Sequence, residues 1–494
     1  MLFIYLKKCC IISKGDKLMK KIKLAMPNFK EARMRLKDVP TIEYEMKNEY
    51  KKLGVGKTYH VFTYGCQGNE ADSEVISGIL EQMGYKRGED PYTCDVVLLN
   101  TCAIRENAEN RIWGVLGNLK GAKRENPDML IGICGCMPQE ENATKRLLET
   151  YSFVDLIFGT HNINSLPKLI YQAYLSKAKV VEVISGEGSI LEHAPKIRES
   201  HHKAWVNIMY GCDEFCTYCI VPYTRGKERS RSKDEIIAEV KDLVANGYKE
   251  VTLLGQNVNA YGKDLGSDYT FGDLLYDLDK TGIERIRYTT SHPRDLDMKT
   301  IMAMAECKSV MPQLHLPVQS GDNEILKKMN RKYTYEEYME KIEALKKAVP
   351  GISITTDIIV GFPNETEEQF QNTLKLVRNV GYEGAFTFIY SKREGTPAAK
   401  MEDSISEEEK RDRLHRLNEL VNEGYLKGNQ RFLNKEVLVL VDGESKNGEG
   451  MMCGYSEHLK LTHFKSNDLS LVGKIVKVKV IEAKTWFLIG ELCE

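Results

Sequence analysis

The sequence predicts an α/β protein in three parts: an N-terminal open parallel α/β sheet, a partial (βα)6 TIM-type barrel, and a small C-terminal antiparallel β-barrel. Three observations carry that reading. Apolar, strand-like runs alternate with polar, helix-compatible stretches three times before residue 150. The same alternation recurs six times between residues 204 and 391. Strand-then-helix repetition builds parallel sheets with helical crossovers. The last sixty or so residues instead show short alternating strands with Gly and Asn turns, the pattern of a small β-barrel.

In chain order, residues 1–55 form an N-terminal extension. "MLFIYLKKCCIIS" has short apolar runs broken by Lys7 and Lys8, with no small-residue cleavage site after them. Met19 is a candidate start, and the basic "MKKIKLAMPNFKEARMRLK" that follows reads as a solvated arm or surface helix. Residues 56–180 form the first α/β domain, with strands at 59–65, 94–100 and 129–135 and helices beginning near Glu70, Glu106 and Gln139. A linker covers roughly 180–200.

Residues 198–428 form the second, with strands at 204–211, 250–259, 285–290, 313–320, 352–362 and 384–391. Helical patterns such as "SKDEIIAEVKDLVANGY" separate them; Ser232 with Glu235 three residues on predicts a capping box. Six units are two short of barrel closure, and active residues are expected at the strand carboxyl ends. A charged helix at 404–432 leads into the third domain, residues 431–494.

With 494 residues, 42% apolar and 29% charged, the chain has the composition of an ordinary soluble protein of two to four domains. A net charge of −1 gives no global signal for a nucleic-acid partner, although a local patch suffices to bind one. No apolar run approaches the roughly eighteen residues needed to span a bilayer, so no membrane is expected and the protein reads as cytoplasmic. In that compartment its thirteen cysteines are expected to be reduced, metal-bound or catalytic.

Six of them form two trios. Cys66, Cys102 and Cys136 each end one of the first three strands, 36 and 34 residues apart. In an open parallel sheet the loops after the strand carboxyl ends lie side by side, at the edge where such folds bind ligands. The other reading is that a cysteine is simply a small buried hydrophobe, as Cys94 and Cys134 look to be. The second trio, Cys212, Cys216 and Cys219 in "GCDEFCTYC", follows the first barrel strand. Three ligands leave a tetrahedral zinc site one short, and His201 or His202 would have to complete it. A cubane 4Fe–4S cluster on three thiolates instead keeps one iron open.

The C-x3-C-x2-C spacing, with Tyr218 before the last cysteine, resembles the radical-SAM superfamily. "TYGCQGNEADSE", "NTCAIRENAENR", "GCMPQ", "YGCDEFCTYCIVPYTRGKERSRS", "LLGQNVNAYG", "HLPVQSGDNEILKKMNRKYT" and "TTDIIVGFPNETEEQF" together resemble the MiaB-type methylthiotransferases, from about residue 57 to the C-terminus. The resemblance implies a methylthiotransferase domain, a radical-SAM core and a TRAM RNA-binding domain. It implies two 4Fe–4S clusters and S-adenosyl-L-methionine: Cys212, Cys216 and Cys219 hold the cluster that binds and splits the cofactor, and Cys66, Cys102 and Cys136 hold an auxiliary, sulfur-handling cluster. The implied reaction is methylthiolation of carbon 2 of N6-isopentenyladenosine at tRNA position 37, giving 2-methylthio-N6-isopentenyladenosine. Sister enzymes act on threonylcarbamoyladenosine in tRNA or on a ribosomal-protein aspartate. The clusters carry the chemistry, and no side chain is given a catalytic role. The two are expected to face each other across the substrate pocket, because sulfur must wait close to the carbon it joins. Implied partners are the tRNA anticodon stem-loop and an electron donor such as flavodoxin or ferredoxin, with the enzyme a monomer. A reading from a different class is a non-catalytic RNA-binding protein with structural zinc.

By the same resemblance, Gly255 and Gln256 lie near the amino group of S-adenosylmethionine, Tyr218 beside the cluster loop, and Ile359 and Gly361 against its adenine. Arg225, Lys227, Arg229, Arg231 and Lys233 form a run that either clamps cofactor carboxylate or RNA phosphate or is a solvated charged face. Ser291, His292, His315 and Gln319 follow barrel strands and are pocket candidates; His315 is equally a core histidine. Tyr455 stands where family members often carry arginine. It, His458 and Phe464 either stack on bases or fill the β-barrel, the barrel being the expectation for Phe464.

Overall fold

A computed structural model describes residues 10–12, 39–103, 106–183, 188–446 and 448–493. The basic stretch from Met19 therefore lies outside the described residues. The chain forms two compact units. One comprises Met1–Glu199, Tyr210–Asp213 and Cys219–Arg229; the other comprises Ser200–Met209, Glu214–Tyr218 and Ser230–Glu494.

The first unit is built on a seven-stranded sheet in the order Cys10–Ile12, Lys179–Glu182, Leu156–Phe158, Leu130–Gly135, Val96–Thr101, Thr58–Tyr64, Lys86–Arg87. Only the pair Cys10–Ile12 with Lys179–Glu182 is antiparallel. The two central strands, "VVLLNT" and "LIGICG", are buried along their whole length, which is why they read as continuous apolar runs rather than alternating ones. Helices Gln67–Gln82 and Leu166–Ser176 cover one face around Ile76, Ile79, Leu98 and Ile170. Glu106–Glu125 and Glu141–Thr150 cover the other around Ile112, Leu116, Ile133 and Leu147. Two departures from the expected boundaries arise from pairing between segments distant in sequence. Strands Cys10–Ile12 and Thr41–Glu43 fall within the expected extension, and Ile190–Glu192 within the expected linker; Thr41–Glu43 and Ile190–Glu192 pair with each other in parallel.

In the second unit, six parallel strands form two three-stranded sheets: Lys203–Asn207, Glu250–Leu254 and Arg285–Tyr288, then Gln313–His315, Ser353–Val360 and Ala385–Ile389. A parallel bridge between Ile286 and Val310 stands at the junction after the third strand. Helices Lys233–Ala245, Phe271–Asp279, Met298–Glu306, Tyr335–Ala348, Glu367–Val380 and Glu407–Gln430 supply the α layer. One apolar core runs from Val206 through Leu253, Ile286, Leu314 and Ile358 to Leu417. Ser232 is the N-cap of its helix but makes no side-chain cap hydrogen bond, so the expected capping box does not form there. Asp234 and Glu235 in the first turn complement the helix dipole instead. Capping boxes form at Thr334/Glu337 and Thr366/Gln369.

Also in this unit, Glu436–Glu444, Met451–Ser456, Leu461–Lys465, Leu488–Leu492 and Ile475–Ala483 close a five-stranded barrel around Val439, Val441, Met452, Phe464, Val478 and Leu488. Its pairs are antiparallel except Leu461–Lys465 with Leu488–Leu492, which is parallel. Arg285 and Arg287, each 3% or less exposed, tie it to the partial barrel through the carbonyls of Leu438, Tyr455, Ser456 and Glu457.

Candidate functional site

The first trio is assembled by strand register. Tyr64 pairs with Thr101 and Thr101 with Gly135, so the residues after them emerge at one sheet edge. The ladder continues one step further: Cys102 N–H donates to Tyr64 C=O at 2.9 Å and Cys136 N–H to Thr101 C=O at 2.7 Å. Close packing shapes these turns. A Cβ on Gly65 would lie 2.8 Å from Cys102 Cβ, and Gly135 has φ +94° with its would-be Cβ 2.4 Å from Thr101 O. Beneath the edge lies a buried polar network. Asn69 Nδ2 donates to Asn100 Oδ1 and Thr101 O, while Asn100 Nδ2 donates to Asn69 O and Ser73 Oγ. It anchors the Cys66 loop to the Cys102 loop.

Cys66 caps helix Gln67–Gln82, and its sulfur accepts from the Asn69 backbone N–H. Its acidity is raised: a hydrogen bond from Cys102 leads, the Arg225 charge and the backbone N–H groups of Asn69 and Gly68 add to it, and together they override burial to bring the thiol down to about 5. Burial pushes the Cys136 thiol up, against the pull of Arg225. Cys134 is pushed well up by burial and the Asp72 charge, and Cys94 by burial, which suits inert structural thiols. Among the described residues, no three His, Cys, Asp or Glu side chains converge as ligands of a single ion would. The donors gathered at this edge are three sulfurs, the set an iron–sulfur cluster takes, with a buried cation beside them to balance thiolate charge.

That cation is Arg225. Its Nη2 donates to Asp72 Oδ2 at 2.7 Å, and both residues are buried. Burial opposes its charge, but Asp72, Cys136 and Cys66 hold the guanidinium well above the usual arginine range. The strap that carries it is fixed within the same unit. Thr160 Oγ1 donates to Thr224 O at 3.0 Å, Arg229 Nη1 donates to the carbonyls of Arg225 and Lys227, and Cys212 N–H donates to Gly226 O. Gly211, at φ +75°, has no room for a side chain: a Cβ would sit 2.0 Å from Lys227 O.

Of the second trio, Cys212 and Cys219 belong to the first unit and Cys216 to the second. Within the second unit, segment 214–218 is gripped by the turn after helix Asn323–Lys328. Thr217 N–H donates to Met329 O and Asn330 Nδ2 to the carbonyls of Glu214 and Phe215. Phe215 takes φ +48°. Arg331 Nη1 donates to Cys216 Sγ at 3.5 Å while its Nη2 holds Pro317 O, so the thiol accepts from a buried cation.

Tyr218 and Ile359 pack on one small cluster of Ile325, Met329, Phe362, Tyr390 and Ala398. Gly361 has φ +65°, its N–H donates to Glu365 Oε2, and a Cβ there would meet Lys410 at 2.6 Å. Gly255 and Gln256 follow strand Glu250–Leu254, and a Cβ on Gly255 would meet Met209 at 2.6 Å. Next to them, Asn257 Nδ2 donates to Asp295 Oδ2 at 2.7 Å; despite burial, hydrogen bonds from Arg294, Lys263 and Asn257 hold that carboxyl below the usual range.

Ser291 and His292 are buried, and burial, with Arg331 next, pushes His292 well below the usual imidazole range, so it stays neutral. His315 lies 3.4 Å from Asp357 and packs edge-on against Phe386. Register puts Asp357 opposite Phe386 and Ile359 opposite Phe388. Both phenylalanines are exposed, an aromatic face that the alternation in "AFTFI" marks but the sequence reading passed over.

The three arginines of the basic run are not a solvated face. Arg225 pairs with Asp72, Arg229 holds carbonyls of its own strap, and Arg231 bonds Asn207 O and Glu239. All three are buried against protein partners. Tyr455 is half-buried, with Lys203 Nζ 5.5 Å above its ring. His458 packs against Phe432 at 4.9 Å, and Phe464 is fully buried in the barrel core, as expected. Asp72, Asn69 and Arg331 are site residues that sequence reasoning missed; their partners lie 31 to 153 positions away and no local pattern marks them.

Three family models match the chain: the uncharacterized protein family UPF0004 over residues 58–159, the radical SAM superfamily over 206–377 and the TRAM domain over 430–493. Among curated proteins it is similar to tRNA-2-methylthio-N(6)-dimethylallyladenosine synthase of Bacillus cytotoxicus, 55% identical over 95% of this chain and 92% of that one. The enzyme of the same name from Bacillus subtilis (strain 168) is 54% identical over 94% of this chain and 92% of that one. Among solved structures it is similar to the radical S-adenosylmethionine methyltransferase TsrM of Kitasatospora setae, with 12% identity, 69% of this chain and 75% of that one covered, and a TM-score of 0.49.

Proposed function

The chain belongs to the family of tRNA-2-methylthio-N(6)-dimethylallyladenosine synthases, and on that premise we propose that it methylthiolates carbon 2 of N6-isopentenyladenosine at tRNA position 37. The observation that carries this reading is the gathering of Cys66, Cys102 and Cys136 at one edge of a parallel sheet, in a chain that also holds the Cys212, Cys216 and Cys219 motif.

Cys212, Cys216 and Cys219 would hold one 4Fe–4S cluster and Cys66, Cys102 and Cys136 a second. When bound, these clusters and S-adenosylmethionine supply the one-electron chemistry and the sulfur that no side chain can. The chain's own residues do the holding and shaping. Arg331 donates to Cys216 and fixes that thiolate's direction. Tyr218 and Ile359 offer an apolar wall, and the bare backbones of Gly255 and Gly361 allow close approach of a cofactor. No base is required of the protein, because the C–H bond at adenine carbon 2 is too weakly acidic for side-chain acid–base catalysis. A flipped anticodon-loop base would have to enter the open face of the partial barrel, where Phe386, Phe388 and His315 stand.

The domain roles follow: residues 56–180 for the auxiliary site, 198–428 for the radical-SAM core and 431–494 for RNA binding. Partners would be the tRNA anticodon stem-loop and a low-potential donor such as flavodoxin or ferredoxin, with the enzyme a cytoplasmic monomer. Among the described residues, no helix is long and apolar enough to cross a membrane. Anaerobic turnover with isopentenylated tRNA, read by mass spectrometry of the nucleosides, tests the proposal. The expected product is 2-methylthio-N6-isopentenyladenosine, with 5′-deoxyadenosine. Unmodified adenosine analogue, or modification of a threonylcarbamoylated tRNA instead, would refute it.

A further inference from the structure

We infer that Arg225 is a positioning residue of the Cys66, Cys102 and Cys136 site: its buried guanidinium, paired with Asp72, sets the site's charge and hence its reduction potential. The inference rests on the proposed cluster at that trio. It stands first on burial. Arg225 is 6% and Asp72 7% exposed, and they meet at 2.7 Å. A cation that served only to neutralise Asp72 would need no sulfur neighbours, yet the charge of this one also acts on the Cys66 and Cys136 thiols. At Gly68 a Cβ would lie 3.5 Å from Cys66 Sγ and 3.6 Å from Arg225 Nη2. The guanidinium and the Cys66 sulfur therefore flank the same bare position in the helix's first turn.

The strap is also held so that the charge cannot swing out. Arg225 N–H donates to Val221 O, its carbonyl accepts from Arg229, and the preceding carbonyl, of Thr224, accepts from Thr160 and Gln139. The same segment, Cys219–Arg229, begins with the last cysteine of the other trio.

The physical consequence follows from sign. Net charge and hydrogen bonds to sulfur govern a cluster's potential, and a fixed charge acts strongly where water is excluded. Reduction adds negative charge, so a neighbouring guanidinium favours the reduced state and a neighbouring carboxylate opposes it. Removing Arg225 lowers the potential; neutralising Asp72 raises it.

The test uses the full-length chain carrying C212A/C216A/C219A, reconstituted anaerobically without S-adenosylmethionine or tRNA. Its iron content should be about four per chain. Redox titration followed by EPR then compares this parent with R225Q, R225K and D72N added singly, and with R225Q and D72N together. The expected order is R225Q below the parent, R225K between them, D72N above the parent, and the double variant between R225Q and D72N. If R225Q holds no iron, D72N decides alone: a raised potential supports the inference, and an unchanged or lowered one overturns it. An iron-free parent overturns the cluster reading and the inference with it. An iron-loaded parent whose potential moves in neither R225Q nor D72N overturns the inference alone.

Discussion

Cys66 is the most exposed thiol of its trio and caps a helix whose first N–H groups point at its sulfur. Replacing it with alanine leaves the strand register intact and removes one of the three thiols proposed to hold the auxiliary cluster. Iron in anaerobically reconstituted protein is expected to fall from about eight to about four per chain, with methylthiolation abolished. The same loss is expected for Cys102→Ala and Cys136→Ala, and iron analysis with absorbance in the 400 nm region checks all three. His458 tests a different residue-scale effect. Burial, aided by Arg431, Lys460, Arg287 and Lys435, pushes its imidazole down to about 3. A histidine with a lowered folded-state value binds fewer protons folded than unfolded. It is therefore stabilising at neutral pH, and that contribution fades as pH falls from about 6.5 toward 3. In His458→Gln the acid side of the stability-versus-pH curve should flatten, as urea unfolding at pH 7 and pH 5 would reveal.

At the element scale, two features have separable costs. Helix Met298–Glu306 starts at Asp297, whose carboxylate accepts from Thr300 N–H at 2.7 Å. Asp297→Ala should cost about 1 kcal/mol of stability and leave turnover unchanged, because the cap bonds only the first turn of its own helix; calorimetric melting is the check. Gly211 is different. Its φ of +75° and the 2.0 Å approach of Lys227 O make any side chain both strained and obstructed. Gly211→Ala should cost about 1–3 kcal/mol and displace the strap that begins at Cys219, lowering the iron retained at Cys212 as well as the melting temperature.

At the scale of the whole molecule, the terminal β-barrel is joined to the partial barrel by a buried polar seam in the second unit. Arg287 bonds Glu250 at 2.9 Å and the carbonyls of Ser456 and Glu457, while Arg285 bonds Leu438 and Tyr455. Truncating Arg287 leaves Glu250 with Arg285 at 3.9 Å and takes the guanidinium from the Glu457 carbonyl, while the Ser456 carbonyl keeps the Leu459 N–H. Arg287→Ala should destabilise this junction by about 3–5 kcal/mol. Limited proteolysis should then cut near 431–435 and release the barrel, with loss of tRNA affinity before loss of the clusters.

The sequence by itself determined the alternation of the first three strands with their helices and the six strands of the partial barrel, and with it the place of six cysteines along the chain, but it did not mark Lys86–Arg87, Leu156–Phe158 or Lys179–Glu182. Apolar runs record burial on both faces of a parallel strand, and a strand's last residue is a local fact. Positions such as Cys66, Cys102 and Cys136 were therefore legible, as was Phe464 in the alternating barrel strands. The tertiary structure alone brought Arg225 onto Asp72 and Arg331 onto Cys216. It also decided that Cys10–Ile12 joins the sheet edge and that Ser232 caps its helix without the expected hydrogen bond. A long, charged side chain carries no periodic signature of its partner. Which counter-charge it meets is settled only when segments 115 or 153 residues apart are folded together and water is removed from between them.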